Sequence, residues 1–147
     1  DRGIDIRRGR GHIGLTETSV ETIVSDEFLR LEEEEKNSTA IDKMVSAGVT
    51  EAYLLDNQNS FLGKIIITDI VKQHPDQLAK NFCIDNPLSI KTDASLQQCI
   101  EAASEFVGET IPVIDRQTNV LQGVVSEADI FQAYLKLQNN VIDLETK

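Results

Sequence analysis

The chain repeats itself at an interval of about sixty residues, and no other feature limits its fold as strongly. "AIDKMVSAGVTEAYLLDNQNSFLGKIIITDIV" runs parallel in pattern to "CIEAASEFVGETIPVIDRQTNVLQGVVSEADIF". Ile41 aligns with Ile100 and Asp56 with Asp115 at an offset of 59; Gly63 then aligns with Gly123 and Asp69 with Asp129 at an offset of 60. The single extra residue falls in a polar turn, where insertions are tolerated. A repeat of this size has an apolar face that it cannot bury alone, so two copies are expected to pack on each other.

Hydrophobic periodicity gives the elements. "EFLRL" and "LSIKT" alternate as strands, "NSTAIDKMVSAG" and "ASLQQCIEAASEF" have helical spacing, and Gly48 is a helix stop. Residues of "NSTA" and Asp93 are the expected N-caps. "AYLLD" with "LGKIII", and "TIPVID" with "LQGVV", flank the turns "NQNS" and "RQTN" as hairpins, and "TDIVKQH" and "EADIFQAYLKLQ" close the units as helices. The predicted fold is α/β (α+β): two β-α-β-β-α repeats packed as a pseudo-twofold pair. The expected boundaries are a basic leader at 1–19, repeat one at 20–74, a connector at 75–86, repeat two at 87–138 and a tail at 139–147.

Composition excludes several classes. A formal charge of -11 opposes binding to nucleic acid, whose phosphates are held by clustered Lys and Arg. No apolar run approaches the ~20 residues of a membrane helix. Cys83 and Cys99 have no CxxC spacing for zinc and read as unreactive thiols. The acidic run Glu32 to Glu35 lacks calcium-loop spacing and reads as a solvated loop. His12 and His74 come with no nucleophile or paired acid, so an enzyme is not expected. The basic residues Arg2, Arg7, Arg8 and Arg10 crowd the start, which begins at Asp1 and reads as a fragment of a longer protein. A basic leader suits an anionic membrane surface or a solvated tail.

Gly123, Ser126 and Asp129 form G-x-x-S-x-x-D at a strand-to-helix junction. A carboxylate there can accept hydrogen bonds from two adjacent hydroxyls, such as those of a ribose, with the serine adding a third polar contact. Ser and Asp at a helix start are also ordinary caps. Spacing alone leaves both readings open.

The repeat order, with "GVVSEAD" and "GKIIITD", resembles a tandem pair of CBS domains over residues 20–138. "RGIDIRRGR" ahead of "VETIV" is similar to the segment after the last membrane helix of CLC-type chloride channels and chloride/proton exchangers. The resemblance implies a regulatory region on the cytoplasmic side of a cell membrane, joined to a membrane-embedded transporter part of the same chain and forming a homodimer. It implies no obligatory cofactor, and ATP, ADP or AMP as a regulatory ligand between the repeats. Ser126 and Asp129 would hold the ribose, Val49 and Thr50 would line the base pocket, and Ser25 would be a further wall. The weaker mirror site would use Asp69 and Thr110, but Ile66 stands where Ser126 stands, and Thr68 is better placed to cap its helix.

Tyr53, at the position of Pro112, reads as a core tyrosine with a satisfied hydroxyl or as a stacking partner for adenine. Lys64, Lys72 or Lys91 would offset the charge of a triphosphate. Two alternatives remain open: a ligand-free dimerisation module, and a sensor attached to another host, such as a metal-ion efflux protein.

Overall fold

Each repeat is built around a three-stranded sheet in which one strand runs parallel and a hairpin supplies the other two. The computed structural model describes residues 14–106 and 108–146. The leader residues Arg2, Arg7, Arg8, Arg10 and His12 lie outside the described residues.

Repeat one runs β1 (Arg30–Leu31), α1 (Asn37–Ala47), β2 (Glu51–Leu55), β3 (Phe61–Ile66) and α2 (Ile67–Ile70). Repeat two runs β4 (Ile90–Lys91), α3 (Leu96–Ala103), β5 (Ile111–Ile114), β6 (Leu121–Val125) and α4 (Glu127–Thr146). The sheets have orders β1-β2-β3 and β4-β5-β6, with a parallel first pair and an antiparallel second pair in each. The expected β-α-β-β-α order is present twice.

The hairpins explain why the turn residues recur. Asn59 and Asn119 have φ of 64° and 61°, a left-handed conformation that Asn tolerates. Asp56 Oδ1 accepts from the Gln58 and Ser60 N–H groups, and Asp115 Oδ1 from those of Gln117 and Thr118. These backbone bonds hold the Asp115 carboxyl below its usual range. Both hairpins also carry a register shift at matching places, Leu54/Leu55 and Val113/Ile114.

The inner faces of the two sheets meet in one cluster of Tyr53, Leu55, Phe61, Ile114, Leu121 and Val124, while a separate core lies under the helices of each repeat. Neither sheet would bury this face alone.

The segments preceding the repeats are exchanged between them. Ser25 bridges to Val124, and Val20, fully buried, belongs to the core of repeat two. Reciprocally, Ile84 bridges to Lys64, and Ala79 belongs to the core of repeat one. The expected cuts at 20 and 75–86 therefore separate residues that pack with the opposite repeat. The matched glycines permit this: a Cβ on Gly123 would lie 2.4 Å from Ser25 O, and one on Gly63 would lie 2.8 Å from Ile84 O.

Several local expectations are corrected. α3 is capped by Ser95 in a capping box with Gln98, and Asp93 instead pairs with Arg116 at 3.1 Å. Lys36 occupies the N-cap of α1 without a side-chain bond; Asn37 is buried and donates through Nδ2 to His74 O at 2.9 Å. Ile66, not Thr68, precedes α2, and no side chain caps that helix. β1 spans two residues of "EFLRL". α4 continues to Thr146 through the expected tail, where neither Gly nor Pro interrupts it. Gly48 stops α1 as expected, with φ 70°.

Candidate functional site

At the start of α4, Ser126 and Asp129 bond each other reciprocally. The Asp129 N–H donates to Ser126 Oγ and the Ser126 N–H to Asp129 Oδ2, both at 3.1 Å. This satisfies two donors that a helix N-terminus otherwise leaves free. Gly123 brings the preceding strand against the 18–25 segment, so the cap opens onto a cleft between that segment and α4. Asp129, Gln132 and Lys136 of α4 line it together with Thr18, Thr22 and Ile23, around a volume of about 490 Å³. The carboxylate and hydroxyls suit a polyhydroxylated ligand, and Lys136 adds a cation roughly two helical turns away.

The remaining residues expected at this site are dispersed. Ser25 lies in a neighbouring groove with Glu21, Asp26, Thr92 and Gln122, and its Oγ accepts from the Glu27 N–H. Val49 and Thr50 stand beside α1 and α2: the Val49 N–H donates to Met44 O and Thr50 O accepts from the Ile67 N–H. Neither lines the cleft beside Asp129. Ser126 and Asp129 are thus brought together, with Ser25 adjacent through its bridge to Val124 and the Val49–Thr50 pair held elsewhere.

At the mirror position, the polar groups of Thr110 are occupied from within the protein. Its N–H donates to Glu51 Oε1 at 3.2 Å, its carbonyl accepts from Lys64 Nζ at 2.9 Å, and its hydroxyl bonds the Tyr53 hydroxyl. Lys64 Nζ also lies 2.9 Å from Glu51 Oε1 and 5.0 Å from the centre of the Phe106 ring. The side chains of Lys64 and Glu51 are only 5% and 8% exposed. Burial pushes the Tyr53 phenol well above its ordinary range; the Thr110 bond opposes this and the Glu51 charge reinforces it. Tyr53 therefore packs as a core residue with a satisfied hydroxyl. Asp69 is half-buried nearby in chain order, after the apolar Ile66.

Residues 79–136 match the family model of the CBS domain. The fold of the chain recurs in solved structures. A CBS domain pair/ACT domain protein from Thermotoga maritima aligns at 19% identity and a TM-score of 0.72, covering 81% of this chain and 98% of that one. The chain has the fold of a CBS domain pair.

Two other similar structures were solved with ligands. CbpB in complex with c-di-AMP is 14% identical with a TM-score of 0.78, covering 92% of this chain and 96% of that one. The cytosolic domain of the Mg2+ channel MgtE in complex with ATP is 14% identical with a TM-score of 0.71, covering 90% of this chain and 55% of that one. No curated protein sequence matches the chain. No helix among the described residues is long and apolar enough to cross a membrane.

Lys136 and the Glu51–Lys64 couple were missed from the sequence. Their signals were available. Lys136 lies one α-helical repeat of seven from Asp129, and Glu51 and Lys64 are opposite charges on paired strands that are otherwise apolar. Lys64 is consequently not free to meet a phosphate, unlike the exposed Lys72.

The cap itself is testable. Ser126→Ala should cost about 1 kcal/mol of stability by removing the acceptor for the Asp129 N–H, read from the midpoint of urea unfolding at unchanged slope.

Proposed function

We propose that this CBS pair is a regulatory module that senses an adenine nucleotide through Asp129, and that it serves the cytoplasmic side of a CLC-type chloride channel or exchanger. The observation carrying the nucleotide reading is the cleft in which the Asp129 carboxylate shares one wall with Lys136 while Thr18 and Thr22 face it. A carboxylate for sugar hydroxyls and a cation for phosphate are the two polar contacts such a ligand needs. ATP and c-di-AMP in the two similar structures support the same class of ligand. The chloride host rests on the resemblance of "RGIDIRRGR" and the residues after it, and the likeness to a magnesium channel domain keeps a metal-ion transporter as the alternative host. The reading is of a binding module rather than an enzyme.

Thermal unfolding with ATP, ADP, AMP and c-di-AMP tests it. A ligand selective for the folded chain adds ~2.7 kcal/mol at a hundredfold excess over its Kd, which raises Tm by several degrees. The shift should vanish in Asp129→Ala and be reduced in Ser126→Ala, whose hydroxyl bonds the Asp129 N–H. No shift with any of the four would remove the nucleotide from the proposal.

A second element of the reading is self-association. Val71 and Phe131 occupy matching positions on α2's end and α4, at 59% and 60% exposure, and Leu135 extends the same face of α4. Two equivalent apolar residues suit a twofold contact with another copy. Phe131→Glu should convert a dimer to a monomer in light scattering; a parent already monomeric at 100-micromolar-scale concentration would refute the dimer.

A further inference from the structure

We infer that the cleft beside Asp129 selects a nucleoside monophosphate over the diphosphate and triphosphate, and that Thr18 and Thr22 make the selection. This rests on the nucleotide reading above and extends it to the number of phosphates.

The wall formed by the 18–23 segment has no hydrogen-bond donor to offer a ligand. A hydroxyl carries a single proton, and Thr18 Oγ1 donates its proton to Gly14 O while Thr22 Oγ1 donates to Ser19 O, both at 2.7 Å. Each oxygen can then only accept. The backbone N–H groups of Thr18, Thr22 and Ile23 are committed as well, to the carbonyls of Gly14, Ser19 and Val20. On the opposite wall, Asp129 Oδ2 is engaged by the Ser126 N–H, and Oδ1 is left to accept.

Donors reach the cleft from α4 alone. Lys136 is the one cation and Gln132 the one amide among the lining residues. A nucleoside matches this polarity, because its ribose hydroxyls and the amino group of its base are donors that the two threonines and Asp129 can receive. A phosphoryl group brings only acceptors. Lys136 and Gln132 can hold the first one, and no donor remains for a second. Each further phosphate would set its oxygens against the threonine lone pairs and bring more negative charge to a chain of formal charge -11, with Glu17 and Glu21 exposed beside those threonines.

Calorimetric titration of the full chain with adenosine, AMP, ADP and ATP in magnesium-free buffer tests the inference. AMP should bind tightest and ATP about tenfold more weakly, the scale of one unsatisfied charged contact. Lys136→Met should weaken AMP to the level of adenosine. Thr22 is exposed, so Thr22→Lys adds a cation to the donor-free wall without disturbing the core, and ATP should then bind at least as tightly as AMP. ATP binding the parent as tightly as AMP would overturn the selectivity and leave the nucleotide reading standing. A Thr22→Lys chain with parent-like circular dichroism and the parent's order of ligands would overturn the part given to that wall. Binding of none of the four would remove the nucleotide reading and this inference together.

Discussion

Lys64→Met should destabilise the chain by about 3–5 kcal/mol, the range for removing one partner of a buried ion pair. For a chain of 147 residues this corresponds to a fall in Tm on the order of 10 °C. Methionine fills nearly the same volume, so packing changes little. What changes is the surroundings of Glu51, whose side chain is 8% exposed and whose counter-charge sits 2.9 Å away. Two backbone N–H groups continue to face that carboxylate, which keeps the loss below the cost of an isolated buried charge. The double variant Lys64→Met, Glu51→Gln should recover more than half of the loss. Its amide oxygen still accepts from the Thr110 N–H, and no net charge stays buried. Urea unfolding of the two single variants and the double variant forms a cycle whose coupling energy is expected between about 1 and 3 kcal/mol, because the residues touch. Additive effects would show that the couple contributes no specific interaction. The pair lies between the repeats, so the loss should appear as faster amide exchange at Glu109 and Thr110 before the helices open.

The sequence made the architecture legible because the repeat was recorded in residues with backbone duties. Asp56 and Asp115 bond the hairpin amides, Asn59 and Asn119 take positive φ, and Gly63 and Gly123 admit a neighbouring strand. Side chains with such local tasks recur at fixed spacing whatever the rest of the repeat becomes.

The exchange of the 18–25 and 78–84 segments was hidden. Their pairing depends on which sheet edge lies nearby, and short strands carry no mark of their partner. Capping was legible only where a single candidate stood at the helix start. Before α3, Asp93 and Ser95 compete, and Arg116, distant in sequence, draws Asp93 outward. The candidate site divides in the same way. Ser126 and Asp129 meet through a three-residue spacing that the helix dictates, whereas Val49, Thr50 and Ser25 depend on how two repeats dock. Likewise, strand alternation indicates an inward-facing Lys64, but only the opposing Thr110 and Phe106 reveal why an ammonium can stay there.

Gly123→Val should destabilise the protein by about 3–5 kcal/mol, and most of that loss should arise in a segment a hundred residues away in sequence. A Cβ at this position would stand 2.4 Å from Ser25 O and 2.4 Å from Val24 Cγ1. The valine side chain of residue 24 can rotate, but the carbonyl cannot retreat without breaking the bridge in which Ser25 and Val124 exchange two bonds of 2.8 Å. Overpacking alone costs about 1–3 kcal/mol. Loss of the bridge also loosens Val20, which is fully buried in the core of repeat two, and exposing a valine costs about 1.5–3 kcal/mol more.

Gly63 and Gly48 provide a graded comparison with alanine. Gly63→Ala meets Cys83 Sγ and Ile84 O at 2.8 Å, a milder contact than that at Gly123. Gly48→Ala meets nothing within 4 Å and loses only the ease of a φ of 70°, about 1 kcal/mol. The expected order of loss is therefore Gly123→Ala, then Gly63→Ala, then Gly48→Ala. Hydrogen exchange should show the Ser25 and Val124 amides losing protection in the first variant and retaining it in the third. If Gly48→Ala were the most damaging, conformational freedom rather than strand approach would be the reason for these glycines, and the exchanged segments would contribute less than their buried side chains imply. If the order holds, the glycine that opens the G-x-x-S-x-x-D motif serves first to admit the 18–25 segment. The cleft beside Asp129 is then a consequence of that docking, since Thr18, Thr22 and Ile23 form its opposite wall.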